Sequence, residues 1–266
     1  MRGGQNVNPG DNLQFIVLIT TLVTDSGNLI KKTYCTGNLI APDWVLTAGH
    51  CFPMKTKEIH LEWKLGHTFW GYKYWQCTRK AVDFHLLDRQ KSEGAFGDKD
   101  LALVRIVPCA ESPNPVRLAM NKTTNLATKR LKCVTAGFGQ AFEGDQTRPK
   151  LRKLVVRDYE LYLDCEDNKL CIDFDEEGRG TCKGDSGSPL FCNGQLYGVL
   201  SNIRYNVDPW YCGKARTTTY FEDVRDYQGW INKTMSCEVV NSSPVAYSNF
   251  TLILVMCLLL HMCWIQ

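Results

Sequence analysis

No block of like charges runs through this sequence, in which 31 Lys and Arg stand against 28 Asp and Glu for a formal net charge of +3. That balance leaves no electrostatic footprint for nucleic acid, and no partner is announced by charge. The chain also lacks the paired Cys-x-x-Cys knuckles of a structural zinc site. It has no internal repeat, and the opening Met1-Arg-Gly-Gly-Gln-Asn contains none of the apolar core that begins a secretory signal. The first apolar run, Phe15 to Val23, is short and β-branched, so it reads as a buried strand instead.

What the sequence has in quantity is cysteine. Thirteen in 266 residues are too many for an ordinary cytosolic enzyme and point to an oxidising compartment. Asn-x-Ser/Thr acceptors at Asn121, Asn232, Asn241 and Asn249 agree with that placement. An apolar fraction of 44% suffices for one large core or two modest ones. Short runs rich in β-branched residues, broken by Gly, Pro, Asn and Asp, recur from Leu13 to about Tyr220: Phe15 to Val23, Asn38 to Leu46, Leu101 to Val107, Leu131 to Ala136, Lys153 to Val156 and Gln195 to Ser201. They predict an all-β sandwich or barrel. Val224, Tyr227, Ile231 and Met235 share one helical face, which predicts a terminal helix over 222–235.

Beyond Cys237 the composition changes to a polar stalk over 237–249 and an almost wholly apolar tail over 250–266. The tail is shorter than the ~20 residues of a membrane-spanning helix and has no basic residue after it. Small residues at Asn241, Ser242 and Ser243, a polar spacer and an apolar end fit a glycosylphosphatidylinositol attachment signal, although the spacer from Pro244 to Asn249 is short. A true span and a tail buried in the protein are the alternatives.

Three segments together supply the parts of serine-dependent acyl transfer: a hydroxyl, an imidazole to take its proton and a carboxylate to orient the imidazole. Gly184-Asp185-Ser186-Gly187 sets a serine in a glycine turn, with the N–H groups of Gly184 and Ser186 available to an oxyanion. Thr47-Ala-Gly-His50 places a histidine directly after an apolar run. Asp100 opens the apolar strand Leu-Ala-Leu-Val, where an unpaired carboxylate is costly and a histidine N–H is a natural partner. Singly, each segment has an ordinary explanation as a turn, a packed histidine or a strand cap; in the order His, Asp, Ser they converge on one chemistry.

These motifs, with Trp44-Val-Leu-Thr-Ala-Gly-His-Cys51, Gly137-Phe-Gly139 and Gly184 to Leu190, resemble the chymotrypsin-like (trypsin-like, S1) serine proteases over residues 1–236. The resemblance implies a peptidase domain of two six-stranded antiparallel β-barrels packed together, roughly 1–115 and 116–220, with a C-terminal α-helix. It implies that His50 is the general base, Asp100 its partner, Ser186 the nucleophile, and Gly184 with Ser186 the oxyanion hole; Asp98, the nearby rival to Asp100, lacks the following strand. It further implies the disulfides Cys35 to Cys51, Cys133 to Cys192, Cys165 to Cys171 and Cys182 to Cys212, with Cys77 to Cys109 as a less secure fifth. Cys237, Cys257 and Cys263 are left without an assigned partner.

The resemblance places Gly180 at the pocket floor, where trypsin-like enzymes carry an Asp for Lys or Arg. Thr219, or Thr218 if the alignment slips, stands where open pockets have Gly. Ser201 begins the substrate-binding strand, in which Asn202 and Ile203 replace Trp-Gly. These departures predict cleavage after apolar or small residues. Gly49 and Ser188 replace a usual Ala and Gly. The segment from Glu62 to Trp75, matching a calcium loop, has only one carboxylate, so no metal or other cofactor is expected.

In the family, activation frees an Ile-Val-Gly-Gly terminus whose amine pairs with the acid before the catalytic serine, here Asp185. Met1-Arg-Gly-Gly4 stands in its place. Either the sequence lacks its upstream signal and pro-segment, or the enzyme cannot mature in the usual way; a further hypothesis is that Met1, apolar and bearing its own amine, takes the isoleucine's place. The expected partners are a polypeptide substrate, protein protease inhibitors and, through the tail or a lipid anchor, a membrane; the expected location is extracellular, at the outer cell surface. A catalytically silent homologue that binds a partner through the same cleft is the competing function, and an adhesion protein using the domain as a scaffold is a third.

Overall fold

A computed structural model describes residues 1–24, 30–53, 55–65, 75–88, 99–110, 112–120, 131–142, 144–145, 149–157, 160–162, 165, 169–205 and 211–242. Asp98, Asn121, Ser243, Asn249, the spacer, the apolar tail with Cys257 and Cys263, and the middle of the calcium-loop segment lie outside these residues.

The chain begins in β1 (Gln5–Asn6) and then enters six strands rich in β-branched residues: β2 (Ile16–Thr24), β3 (Ile30–Ala41), β4 (Trp44–Thr47), β5 (Thr56–Leu65), β6 (Trp75–Leu86) and β7 (Ala102–Ile106). They close into an antiparallel barrel in the order β2-β3-β4-β7-β6-β5. The run Asn38 to Leu46 is therefore the end of one strand, a tight turn at Pro42-Asp43 and the start of the next. Ile19, Leu39, Val45, Leu61 and Leu103 are buried.

The later strands are β8 (Arg117–Leu118), β9 (Cys133–Gly137), β10 (Arg152–Val156), β11 (Leu161–Tyr162), β12 (Leu170–Phe174), β13 (Pro189–Cys192), β14 (Gln195–Tyr205) and β15 (Thr217–Asp223). With β1 they form a second sheet in the order β1-β10-β9-β13-β14-β15-β12-β11, with β8 pairing parallel to β14. Two departures from expectation follow. Among the described residues this sheet is not a closed six-stranded barrel; instead, an Asp173 N–H donates to Glu160 O at 2.9 Å, tying β12 to the segment after β10. The amino-terminal segment also belongs to this second sheet and not to the first barrel, because Gln5 and Asn6 pair with Lys153 and Arg152. Met1 is buried with Leu154, Leu190, Tyr197 and Phe221 in its core.

The terminal helix starts later than the periodicity predicts. β15 extends to Asp223, a 3-10 turn covers Val224–Asp226, and α1 runs over Gln228–Ser242. The cause is local: the Asp223 carboxylate binds the Arg225 guanidinium at 2.6 Å, and Glu222 remains in strand register opposite Val199. The helix also continues through Asn241 and Ser242, so the expected polar stalk begins as helix. Two compact units result, Met1–Asp226 with both sheets and a second from Tyr227 onward carrying α1. No helix among the described residues is long and apolar enough to cross a membrane.

Candidate active site

His50 sits in a 3-10 turn, Gly49–Cys51, directly after β4, and is fixed there by the Cys35–Cys51 disulfide. Asp100 immediately precedes the buried segment leading into β7, which pairs with β4, so two neighbouring strand ends present the imidazole and the carboxylate to each other. The His50 N–H donates to Asp100 Oδ1 at 2.8 Å, and Nδ1 lies 2.7 Å from Oδ2. The other ring nitrogen, Nε2, is 2.8 Å from Ser186 Oγ. Ser201 donates its hydroxyl to Asp100 Oδ2 at 2.7 Å. Burial alone would raise the Asp100 pKa, but the hydrogen bond and charge of His50 and the hydroxyl of Ser201 outweigh it and hold the carboxyl below its ordinary range. An imidazole with a carboxylate on one nitrogen and a hydroxyl on the other is arranged to take the hydroxyl proton and to carry the resulting charge.

Ser186 comes from the turn between Cys182 and β13. Gly187 there has φ +85°, and a Cβ on it would stand 2.0 Å from the Thr36 carbonyl, so only glycine admits the close approach of β3. That approach is hydrogen-bonded. Thr36 N–H donates to Ser186 O at 2.8 Å, Thr36 Oγ1 to Gly184 O at 3.1 Å, and Asn38 Nδ2 to Gly187 O at 2.8 Å. The first barrel thus holds the serine turn of the second sheet by its carbonyls. Among the described residues, the N–H groups of Gly184 and Ser186 have no intramolecular acceptor and are available to an incoming oxyanion.

Asp185 points the opposite way, into the core. Its carboxylate lies 3.0 Å from the Met1 amine, and both side chains are wholly buried. The amine also donates to Gly139 O at 2.8 Å and Gln140 O at 2.6 Å. Asp185 accepts the N–H groups of Gly139 at 2.8 Å and Cys182 at 2.9 Å. A Cβ on Gly139 would stand 2.3 Å from the Asp185 carboxyl carbon, which gives the Gly137-Phe-Gly139 motif its physical reason.

The residues expected to line a substrate pocket have these surroundings. Gly180 exchanges two backbone hydrogen bonds with Arg2, at 2.9 and 3.2 Å. Thr219 stands opposite Ile203 in the β14–β15 ladder and is fully buried. Its hydroxyl lies 2.7 Å from that of Thr181. Ser201 does not direct its hydroxyl toward a substrate, because Asp100 takes it. The disulfides Cys35–Cys51, Cys77–Cys109, Cys133–Cys192 and Cys165–Cys171 are present. The pairing expected of Cys182 and Cys212 is not: they are buried thiols in hydrogen-bond contact, and that contact together with burial pushes the Cys182 pKa upward, favouring the protonated form. Atoms of Cys35, His50 and Cys51 cluster within 4.8 Å, but the sulfurs are bonded to each other and the imidazole is committed, so they do not make a metal site. Asn232 is exposed on α1.

Several residues around the site carried no sequence signal. Thr36 and Thr181 stood in no motif, Asn38 only opened a predicted strand run, and Glu222 fell at the start of the predicted helix over 222–235. Their partners lie up to 149 positions away in the chain, as between Asn38 and Gly187.

Comparison with known proteins agrees with this geometry. The family model described as Trypsin matches residues 2–231. Snake venom serine protease HS114 of Bothrops jararaca is 29% identical over 222 residues, covering 79% of this chain and 81% of that protein. Kallikrein-9 of Homo sapiens is 27% identical over 220 residues, covering 77% and 82%. Anionic trypsin of Bos taurus is 25% identical over 213 residues, covering 76% and 80%. With the family model matching nearly the whole span of both sheets, the chain belongs to the trypsin family of serine proteases.

Proposed function

We propose that this chain is an active serine endopeptidase that cleaves after apolar or small residues. The observation that carries the reading is His50 bridging Asp100 at 2.7 Å and Ser186 at 2.8 Å. His50 Nε2 takes the proton of Ser186 as Oγ attacks the scissile carbonyl carbon. The developing oxyanion is received by the N–H groups of Gly184 and Ser186. The same proton then passes to the leaving amine, leaving an acyl group on Ser186, and a water activated by His50 releases it. Asp100 stays ionised throughout and holds the imidazole in the required tautomer.

The preference follows from what the pocket lacks. Gly180 brings no carboxylate to the floor, so a Lys or Arg side chain would be desolvated without a charge partner. The hydroxyls of Thr181 and Thr219 are buried and bonded to each other, so neither is offered to a polar or charged substrate side chain. Four disulfides support passage through the secretory pathway. We place the protein outside the cell, anchored by lipid through one of Asn241, Ser242 and Ser243, glycosylated at Asn121 and Asn232, and subject to protein inhibitors that present a substrate-like segment.

A fluorophosphonate probe tests the enzyme reading directly. Labelling of the wild-type chain and none of Ser186→Ala is expected; a folded, disulfide-bonded wild-type chain that stays unlabelled overturns it. Cleavage of a peptide library, read by mass spectrometry, tests the preference, and dominant cuts after Lys or Arg would reverse it. Release from membranes by a phosphatidylinositol-specific phospholipase tests the anchor.

A further inference from the structure

Behind Asp100 lies a second buried carboxylate that the triad chemistry does not use. Glu222 on β15 is 1% exposed, and its Oε1 accepts the backbone N–H of Asp100 at 3.2 Å. The same oxygen lies 2.8 Å from Lys169 Nζ, itself only 15% exposed. Lys169 immediately precedes β12, which pairs with β15, and its carbonyl accepts the Cys165 N–H at 3.2 Å inside the loop closed by the Cys165–Cys171 disulfide. The Asp100 backbone is thus held directly by Glu222 of β15, which in turn is held by Lys169 at the start of β12.

We infer that Glu222 is a positioning residue for Asp100 and that Lys169 balances its charge, so that together they set the proton affinity of His50. The carboxylate fixes the peptide unit from which the Asp100 side chain reaches the imidazole. Without a counter-charge it would also add a second buried negative charge beside the first, favour the imidazolium and weaken His50 as a base at neutral pH. Lys169 cancels that field. Among the described residues, other charged and titratable groups near His50 have these partners. Asp100 and Ser201 bind each other, Ser186 faces Nε2, Asp223 is bound by Arg225, Met1 and Asp185 form a neutral pair beyond Ser186, and Lys99 is exposed.

An ordinary ion pair between two elements would contribute stability alone, whereas this arrangement predicts pH shifts of opposite sign. Lys169→Met removes one positive charge from beside Glu222 and moves the His50 pKa, with the acid limb of kcat/KM, upward. Glu222→Gln keeps an acceptor for the Asp100 N–H but leaves Lys169 uncompensated, and moves both downward. Each shift is on the order of one pH unit, the size of effect one charge exerts through an effective dielectric of ~20. The double variant returns to the wild-type value, and Lys169→Arg retains it.

The inference rests on the peptidase reading only for its kinetic arm, so the decisive measurement is the titration of His50 in the full chain by 15N NMR, with the resonance assigned by loss in His50→Ala. Opposite shifts in the two single variants with restoration in the double support the pair. A His50 pKa unchanged in both singles, or moved the same way in both, overturns it. Should Lys169→Met fail to fold, Glu222→Gln and Lys169→Arg still decide, because only the first is expected to shift. Expected shifts in a chain without turnover would count against the peptidase reading and leave the pair standing.

Discussion

The two sides of Ser186 are built on opposite electrostatic plans. On the histidine side, His50, Asp100, Ser201, Glu222 and Lys169 form a continuous chain of charged and polar groups, each held by a neighbour. On the side proposed as the substrate pocket, Gly180 bonds Arg2 through its backbone and the hydroxyls of Thr181 and Thr219 bond each other, so these residues bring no formal charge. The difference separates two tasks. Chemistry needs charge that is stabilised in advance, because reorganising solvent or dipoles during reaction is costly. Choice of an apolar substrate side chain needs the reverse, since any unpaired charge in that pocket would have to be desolvated at each binding event.

Breaking the histidine side should have the largest effect. Ser186→Ala or His50→Ala is expected to lower kcat by about 10⁵–10⁶, with folding unaffected by circular dichroism. Next comes the support under the serine turn. Acetylating the Met1 amine, or Asp185→Asn, leaves one member of a buried ion pair alone, worth about 3–5 kcal/mol, and should lower turnover by about 10² or more as the turn relaxes; unchanged turnover of the acetylated chain would show that the Met1 contact is dispensable. Inverting the pocket sharpens the contrast from the other side: Gly180→Asp should raise kcat/KM for Lys and Arg substrates by ~10²-fold relative to apolar ones, although a backbone φ of +157° makes any side chain there somewhat strained. A smaller loss, of about 10-fold in kcat, is expected of Ser201→Ala, which removes one charge-assisted hydrogen bond from Asp100.

The smallest effect is on stability against pH. Asp100 is held below its ordinary pKa in the folded chain by partners that outweigh the opposing effect of burial. Its stabilising contribution is thus complete above the unfolded carboxyl value of about 4 and is lost as pH falls through the lower folded value. Urea midpoints should decline on acidification below about pH 4 and do so less steeply in Asp100→Asn.

The legibility of the molecule followed the same division. His50, Asp100 and Ser186 were each set in a short, distinctive local context, so the triad could be read from three separate segments. Gly137 and Gly139 were recognisable as a pattern, but their reason is the Asp185 carboxylate of the serine turn, which no local window around them contains. Glu222 was assigned to a helical face because Val224, Tyr227 and Ile231 repeat at helical spacing. The strand continued instead, since register with Val199 and the Asp223–Arg225 pair hold it open. Closure of the second sheet and the state of Cys182 and Cys212 depend on tertiary geometry that neither spacing nor composition encodes.

The hydrogen bonds from Thr36 and Asn38 to the carbonyls of Ser186 and Gly187 have one further consequence. They make the nucleophile a clasp fastened across a seam, with the imidazole on one lip and the hydroxyl on the other. Any breathing motion that parts the barrel from the sheet undoes the clasp before either half unfolds. Catalysis would then cease at the first opening of the seam, and activity would report on the docking of two halves that each remain folded.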